Sequence, residues 1–198
     1  MNKMKKLVLL ASMMLAFVTV KAQSGVGEFS LRPTVGMNIG FMTNADGSDP
    51  RFGLVAGAEL EYQATDVLGI SGGLLYSQQG AKMNDMDMDG TMKLDYINVP
   101  VLANFYVAKG FAFKVGVQPS FLVNDKAKAS SSGASVEMGL GDLSKGFMLA
   151  VPIGLSYEFS NIQLDARFNW GVTHAISDSY DSCNSNVVMI TLGYKFSL

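Results

Sequence analysis

The sequence predicts an all-β protein: an eight-stranded antiparallel up-and-down transmembrane β-barrel behind an N-terminal signal peptide. Three observations predict it. Apolar and polar residues alternate with a period of two through eight segments, most clearly from Asn161 to His174. Each segment has at least 11 residues, which is the length that a tilted membrane strand needs and about twice that of a soluble strand. Long and short connections alternate along the chain, as in outer-membrane barrels.

The first residues have the three parts of a secretory signal peptide. Lys3, Lys5 and Lys6 precede an apolar run from Leu7 to Val20, and Ala22 is a suitable small residue for cleavage. The run is too short for a membrane-spanning helix. We therefore expect two units: residues 1–22 as the signal peptide and residues 23–198 as the barrel domain.

Composition restricts the function of the exported part. The four lysines of the leader leave 11 of the 15 basic residues against 17 acidic residues, a net charge of −6. A surface of that sign disfavours nucleic acid as a partner. The single cysteine, Cys183, cannot form an internal disulfide.

Eight strands follow from the alternation. The predicted ranges are Phe29–Phe41, Arg51–Tyr62, Val67–Gln79, Lys93–Val107, Gly110–Val123, Gly146–Phe159, Asn161–His174 and Val187–Ser197. The long connections, Met42–Pro50, Gly80–Met92, Asn124–Lys145 and His174–Asn186, are expected to be outer loops, and the short ones periplasmic turns. Prolines inside strands (Pro33, Pro100, Pro119 and Pro152) are expected to mark bulges or strand ends, since a closed barrel has no edge strand.

The apolar face is predicted to meet lipid, because its aromatic residues gather toward the strand ends as at the two membrane interfaces. The predicted interface aromatics are Phe41, Phe52, Tyr76, Phe121, Phe147 and Trp170 at the outer side and Tyr157, Phe159, Tyr194 and Phe196 at the periplasmic side. The alternative is a soluble eight-stranded barrel that buries this face inside.

The opposite face carries four basic and four acidic residues, which we expect to pair inside a narrow lumen. This predicted charge network comprises Arg32, Glu59, Glu61, Lys114, Glu158, Asp165, Arg167 and Lys195. Glycines on the same face leave room for the long side chains. The hypothesis is a plugged barrel and not a pore.

The run Lys93–Phe121 resembles the central signature of the PorT-like outer-membrane β-barrel family of Bacteroidetes. Matching segments are Arg32–Gly40, Gly72–Lys82, Leu164–Thr173 and Leu192–Phe196. The resemblance implies the barrel fold, the outer membrane and a Gram-negative source, but no single activity, catalytic residue or cofactor. The founding member of that family is tied to a secretion system that exports proteins to the cell surface.

Two patterns in the sequence are candidates for a chemical site. Asp85, Asp87 and Asp89 before Gly90 match the first half of a calcium loop, but Tyr96 stands where the bidentate Glu is needed. His174 with nearby Ser177 and Asp178 suggests a lipid hydrolase, but no oxyanion-hole motif accompanies them.

The preferred interpretation is therefore a non-enzymatic structural or interaction protein without a cofactor. Its expected partners are outer-membrane lipid, lipopolysaccharide, the barrel-assembly machinery and envelope or secretion proteins. A narrow solute channel and a lipid-modifying enzyme remain as alternatives.

Overall fold

The computed structural model describes residues 25–42, 48–85, 88–131, 134–138, 146–173 and 185–198. The predicted signal peptide, its cleavage site and His174 lie outside these ranges. In the part of the chain that the structure describes, no helix is long and apolar enough to cross a membrane.

The strands form one closed antiparallel sheet. They are β1 (Phe29–Met42), β2 (Ser48–Gln63), β3 (Leu68–Asp85), β4 (Met88–Asn98), β5 (Val101–Ala108), β6 (Phe111–Ser131), β7 (Ala134–Met138), β8 (Phe147–Phe159), β9 (Ile162–Gly171), β10 (Ser185–Tyr194) and β11 (Phe196–Ser197). The order around the sheet is β1-β2-β3, then β4 and β5 end to end, then β6-β8-β9-β10. β1 pairs with β10 from Thr34↔Gly193 to Met42↔Ser185, which closes the barrel.

Eight barrel strands appear as eleven segments because two strands are interrupted and one outer hairpin adds a segment. Val99 and Pro100 separate β4 from β5, which together form the fourth barrel strand. Lys195 separates β10 from β11 in the eighth, while β7 extends a hairpin with β6. The prediction of an eight-stranded up-and-down barrel is confirmed.

The prediction for the prolines holds only at Pro100. Pro33, Pro119 and Pro152 lie inside β1, β6 and β8, and each is paired with a partner: Ala58, Leu149 and Asn169. The register shifts fall elsewhere, between Pro50 and Val55, Asp95 and Tyr96, and Tyr106 and Ala108. Long paired strands on both sides hold the register across the missing backbone N–H of each proline.

The prediction of outer loops is most clearly wrong for Gly80–Met92 and Asn124–Lys145, which are largely strand. β3 and β4 stay paired up to Asp85↔Met88, and β6 pairs with β7 up to Ser131↔Ala134. The predicted strand boundaries lie where apolar alternation stops. Outside the bilayer a strand needs no apolar face, so its hydrogen-bonded ladder continues past that point.

The tight turns lie at the opposite end. Ser160 connects β8 to β9 with a positive φ of 57°, and Gly110 between β5 and β6 has a φ of 76°. Residues with positive φ make such short connections possible.

The apolar face points away from the barrel. Leu74 is 63% exposed and Trp170 is 55% exposed, whereas Asp165 and Arg167 on the opposite face are each 3% exposed. The soluble alternative, with its apolar face inside, is therefore wrong.

Candidate functional site

The candidate site is the lumen, where strand alternation places every member of the predicted charge network. Glu59 on β2 is its centre. Its carboxylate accepts hydrogen bonds from Arg32 Nη2 at 2.5 Å and from Arg167 Nη1 and Nη2 at 2.5 and 2.8 Å. One acidic group therefore joins β1, β2 and β9, and the bond from Arg167 crosses the lumen between strands that are not neighbours.

Asp165 is a second centre, two residues before Arg167 on β9. It accepts from Arg167 Nε at 2.6 Å and from Lys114 Nζ at 2.5 Å. Lys114 also donates to Gln163 Oε1 at 3.0 Å. These contacts extend the network to β6 on another side of the lumen.

The remaining charges lie at its margin. Arg32 Nη1 bonds Glu61 at 3.2 Å, and Lys195 Nζ bonds Glu158 at 3.0 Å. The Tyr106 hydroxyl donates to Glu61 from β5, again across the lumen. Tyr106 and Gln163 were missed as members of the network. Their inward-facing alternation was the available signal, but alternation does not show which inward residues touch.

Because the side chains of the charge network are buried, their pairing matters for the stability of the barrel. The side chains in these ion pairs are 1–7% exposed. Removing one partner of a buried pair leaves an uncompensated charge and costs roughly 3–5 kcal/mol. The network therefore holds its members in place more strongly than surface ion pairs would.

Glycines create the space that these side chains occupy. A Cβ at Gly73 would lie 2.7 Å from Glu59 Cγ, and one at Gly154 would lie 2.8 Å from Arg167 Cγ. At Gly193 the clash would be with Arg32 Cγ, at 2.7 Å. Small and large inward residues on neighbouring strands are thus matched in position.

Below the network is the periplasmic mouth, with a cavity of about 380 Å³. Its polar lining is Gln63, Asp66, Tyr106, Glu158 and Lys195. Tyr106, Glu158 and Lys195 also make hydrogen bonds in the charge network, so the cavity borders that network.

Above the network the lumen contains a group of buried neutral amides. Asn38, Asn98, Gln118 and Asn169, here called the amide layer, lie further toward the outer end of their strands and are at most 2% exposed. Among the described residues, both amide atoms of Asn98 and of Asn169 have no hydrogen-bond partner. Val55, Leu75 and Met189 form a small apolar cluster in the same half.

All ten predicted interface aromatics lie on the lipid-facing side. At the outer end, Phe121 and Phe147 pack with ring centroids 5.5 Å apart, and at the periplasmic end Tyr194 and Phe196 are 4.8 Å apart. The others are Phe41, Phe52, Tyr76 and Trp170 at the outer end and Tyr157 and Phe159 at the other, each exposed on the barrel exterior.

The comparisons with known proteins agree with this geometry. Residues 21–177 match the family described as outer membrane protein beta-barrel domain. The chain belongs to this family. It is a protein of the Gram-negative outer membrane. None of the curated proteins compared with the chain matches it.

Two solved structures share the family barrel's fold. Ail, the attachment invasion locus protein of Yersinia pestis, solved in complex with the heparin analogue sucrose octasulfate, is 18% identical with a TM-score of 0.52. The match covers 87% of this chain and all of Ail. Neisserial surface protein A is 16% identical with a TM-score of 0.52, covering 85% of this chain and 97% of that protein.

The residues of the two candidate chemistries lie partly or wholly outside the described part of this outer-membrane barrel. Asp85 ends β3 and Asp89 lies in β4, while Asp87 is outside the described residues. No group of three or more potential metal ligands occurs among the residues that the structure describes. The hydrolase candidates His174, Ser177 and Asp178 also lie outside them.

Proposed function

We propose that this protein is a non-conducting outer-membrane barrel that acts as a structural or interaction protein. The observation that supports this most strongly is the set of ion pairs across the lumen, from Arg32 through Glu59 and Arg167 to Asp165 and Lys114. Opening a path would require separating several buried charges at once, at several kcal/mol each. A barrel closed in this way works through its two ends.

The proposed partners would bind at the two ends of the barrel. The extended hairpins β3–β4 and β6–β7 would contact lipopolysaccharide and surface molecules, and the short turns would contact periplasmic or secretion proteins. The segments that resemble the PorT-like family of Bacteroidetes support a link to secretion or to the cell envelope. Insertion would depend on the barrel-assembly machinery, as for other proteins of this architecture.

Single-channel recording in planar bilayers tests the closed lumen. The purified mature protein is expected to give no large, stable conductance, whereas a porin reconstituted in parallel gives one. The double variant Glu59→Ala/Arg167→Ala, which removes the central pair, is expected to give frequent brief openings. A large stable conductance from the unmodified protein would refute the proposal.

A narrow channel for small solutes is the second candidate. It is favoured by the amide layer, since the unpaired amide atoms of Asn98 and Asn169 could bind water or a polar solute. Swelling of liposomes in small sugars or amino acids, at a rate above that of protein-free liposomes, would support this candidate.

We also propose that the protein is not an enzyme. The closed network contains no nucleophile held by a base, which acyl transfer would require. A lipid acyl-hydrolase assay that shows turnover, lost in His174→Ala, would overturn this.

A further inference from the structure

The cavity at the periplasmic mouth has a polar wall whose side chains are held in place. Its volume of about 380 Å³ lies within the usual range of roughly 300–1,000 Å³ for small-molecule pockets. Lys195 and Gln63 line the cavity and are buried, with 4% and 7% of their surface exposed. Gln63 Nε2 donates a hydrogen bond to the Thr65 carbonyl at 2.7 Å. Side chains that are buried and held in this way form a defined site and not a crease in the surface.

Backbone contacts hold the ion pair of this wall, Glu158 and Lys195. The backbone N–H of Glu158 donates to the Gly110 carbonyl at 2.6 Å. Both backbone polar groups of Lys195 contact Asn161: the Lys195 N–H donates to the Asn161 carbonyl at 2.7 Å, and Asn161 Nδ2 donates to the Lys195 carbonyl at 3.0 Å. The side chains of the pair meet at 3.0 Å, between Lys195 Nζ and Glu158 Oε2. The two charges are therefore positioned at the mouth without help from a ligand.

The side-chain charges around the cavity leave an excess of one negative charge. The charge network itself is balanced, with four basic and four acidic residues. Asp66, on the turn between β2 and β3, adds to the cavity lining a carboxylate that this balance does not include. Beside the cavity, Glu28, which bonds a lining glycine, and Lys109, which precedes another, offset each other. A concave site with this excess raises the local concentration of cations.

The lining favours a primary ammonium group over other charged ligands. Such a group carries a positive charge and three hydrogen-bond donors, and the carboxylates of Asp66 and Glu158 are acceptors for both. Among the described residues that line the cavity, Lys195 is the single cation available to an anion, and it already bonds Glu158. A calcium ion needs roughly six to eight oxygen ligands, and no group of three or more potential metal ligands occurs in the described ranges.

We propose that the periplasmic mouth binds a primary ammonium group, with the carboxylates of Asp66 and Glu158 as its ionic partners. One source of this group is a small soluble amine in the periplasm. The other is the headgroup of phosphatidylethanolamine in the periplasmic leaflet, because Glu158 lies between the interface aromatics Tyr157 and Phe159 and is therefore at headgroup height. The site goes beyond the proposed function, since a structural or interaction barrel needs no small ligand.

Titration of ethanolamine into the folded, isotope-labelled mature protein in phosphatidylcholine nanodiscs tests the site. The amide NMR signals of Gly110 and Lys195 are expected to shift until the site is saturated. Asp66→Asn should weaken binding about 5- to 10-fold, because it removes the charge from one hydrogen-bond acceptor. Glu28→Gln is the matched control and should bind within about twofold of the unmodified protein. Neither residue belongs to the charge network, so both variants are expected to fold.

Choline separates recognition of the ammonium donors from general attraction, because it carries the same charge without N–H groups. It should bind more weakly than ethanolamine. Equal binding of the two compounds, or equal weakening by Asp66→Asn and Glu28→Gln, would overturn the proposal, since either result indicates only diffuse attraction to a negative rim. The absence of a saturable shift, both with ethanolamine and in phosphatidylethanolamine nanodiscs, would overturn it as well.

Nanodiscs of phosphatidylethanolamine identify the source of the ammonium group. The same shifts at Gly110 and Lys195 without added amine, lost in Asp66→Asn, would support the lipid headgroup as the ligand. Shifts that require added ethanolamine in both kinds of nanodisc would support a soluble amine. The two proposals can fail separately, because conductance tests the closed lumen and the NMR shifts test the mouth.

Discussion

In the periplasmic half of the lumen Glu59 accepts hydrogen bonds from two arginines, whereas in the outer half Asn98 has no partner for either amide atom among the described residues. Both residues are about equally buried, at 1% and 0% exposure. The same barrel therefore buries polar groups in two ways: as a cross-linked ionic network and as separate neutral amides.

The difference shows where the barrel is held together internally. A charge-assisted hydrogen bond is about twice as strong as a neutral one, and the network connects strands that do not pair with each other. The amide layer adds few contacts between strands. Asn38, which donates to Ser77 Oγ at 2.7 Å, is its clearest exception. We therefore expect substitutions in the charge network to lower the free energy of unfolding more than substitutions in the amide layer do.

Glu59→Ala should have the largest effect. It leaves Arg32 without its 2.5 Å contact and Arg167 without both hydrogen bonds to Glu59, and we expect a loss of roughly 3–5 kcal/mol in the free energy of unfolding. Urea unfolding in lipid vesicles measures it, with fluorescence from Trp170, the single tryptophan, which is exposed on the lipid side.

Glu28→Ala provides the matched control, because Glu28 precedes β1 and its carboxylate accepts a hydrogen bond from the Gly25 backbone N–H at an exposed site. Its effect should stay within about 0.5 kcal/mol. Equal losses for Glu28→Ala and Glu59→Ala would show that the network does not concentrate stability in this half.

The residues of the charge network could be predicted from the sequence because lipid enforces strict alternation. In β9 the positions of Asp165 and Arg167 followed directly from those of Leu164 and Phe168. Partners could not be predicted in the same way. Glu59 and Arg167 are 108 residues apart, and their contact depends on the register of every strand between them.

The outer hairpins were missed for a different reason. Apolar alternation reports where lipid is, and it ends at the bilayer even though pairing of β3 with β4 continues. The register shift between Asp95 and Tyr96 is also not visible in alternation alone, because it changes how β4 pairs with β6 without changing the residue types on either strand.

Gly73→Ala tests the space around the charge network and should lower the free energy of unfolding by an intermediate amount. The added Cβ would lie 2.6 Å from the Ala58 carbonyl oxygen and 2.7 Å from Glu59 Cγ, so backbone and network must both shift. We expect a loss of about 1–3 kcal/mol in the same urea titration. Gly146→Ala has no atom within 4 Å of the added Cβ and should leave the unfolding free energy unchanged. If Gly73→Ala leaves the unfolding free energy unchanged, the charge network tolerates displacement of its side chains.

Asn98→Leu should have the smallest effect, and it is the sharpest test of the amide layer. The substitution removes two buried polar atoms that have no partner among the described residues, so the unfolding free energy should change by less than about 1 kcal/mol. Asn38→Leu is the control, since it breaks the bond to Ser77 and should cost about 1–2 kcal/mol. If Asn98→Leu costs as much as Asn38→Leu, then Asn98 must make strong hydrogen bonds to water within the lumen. The outer half would then be a hydrated chamber above a closed ionic layer, and the difference between the halves would lie in solvent access rather than in stability.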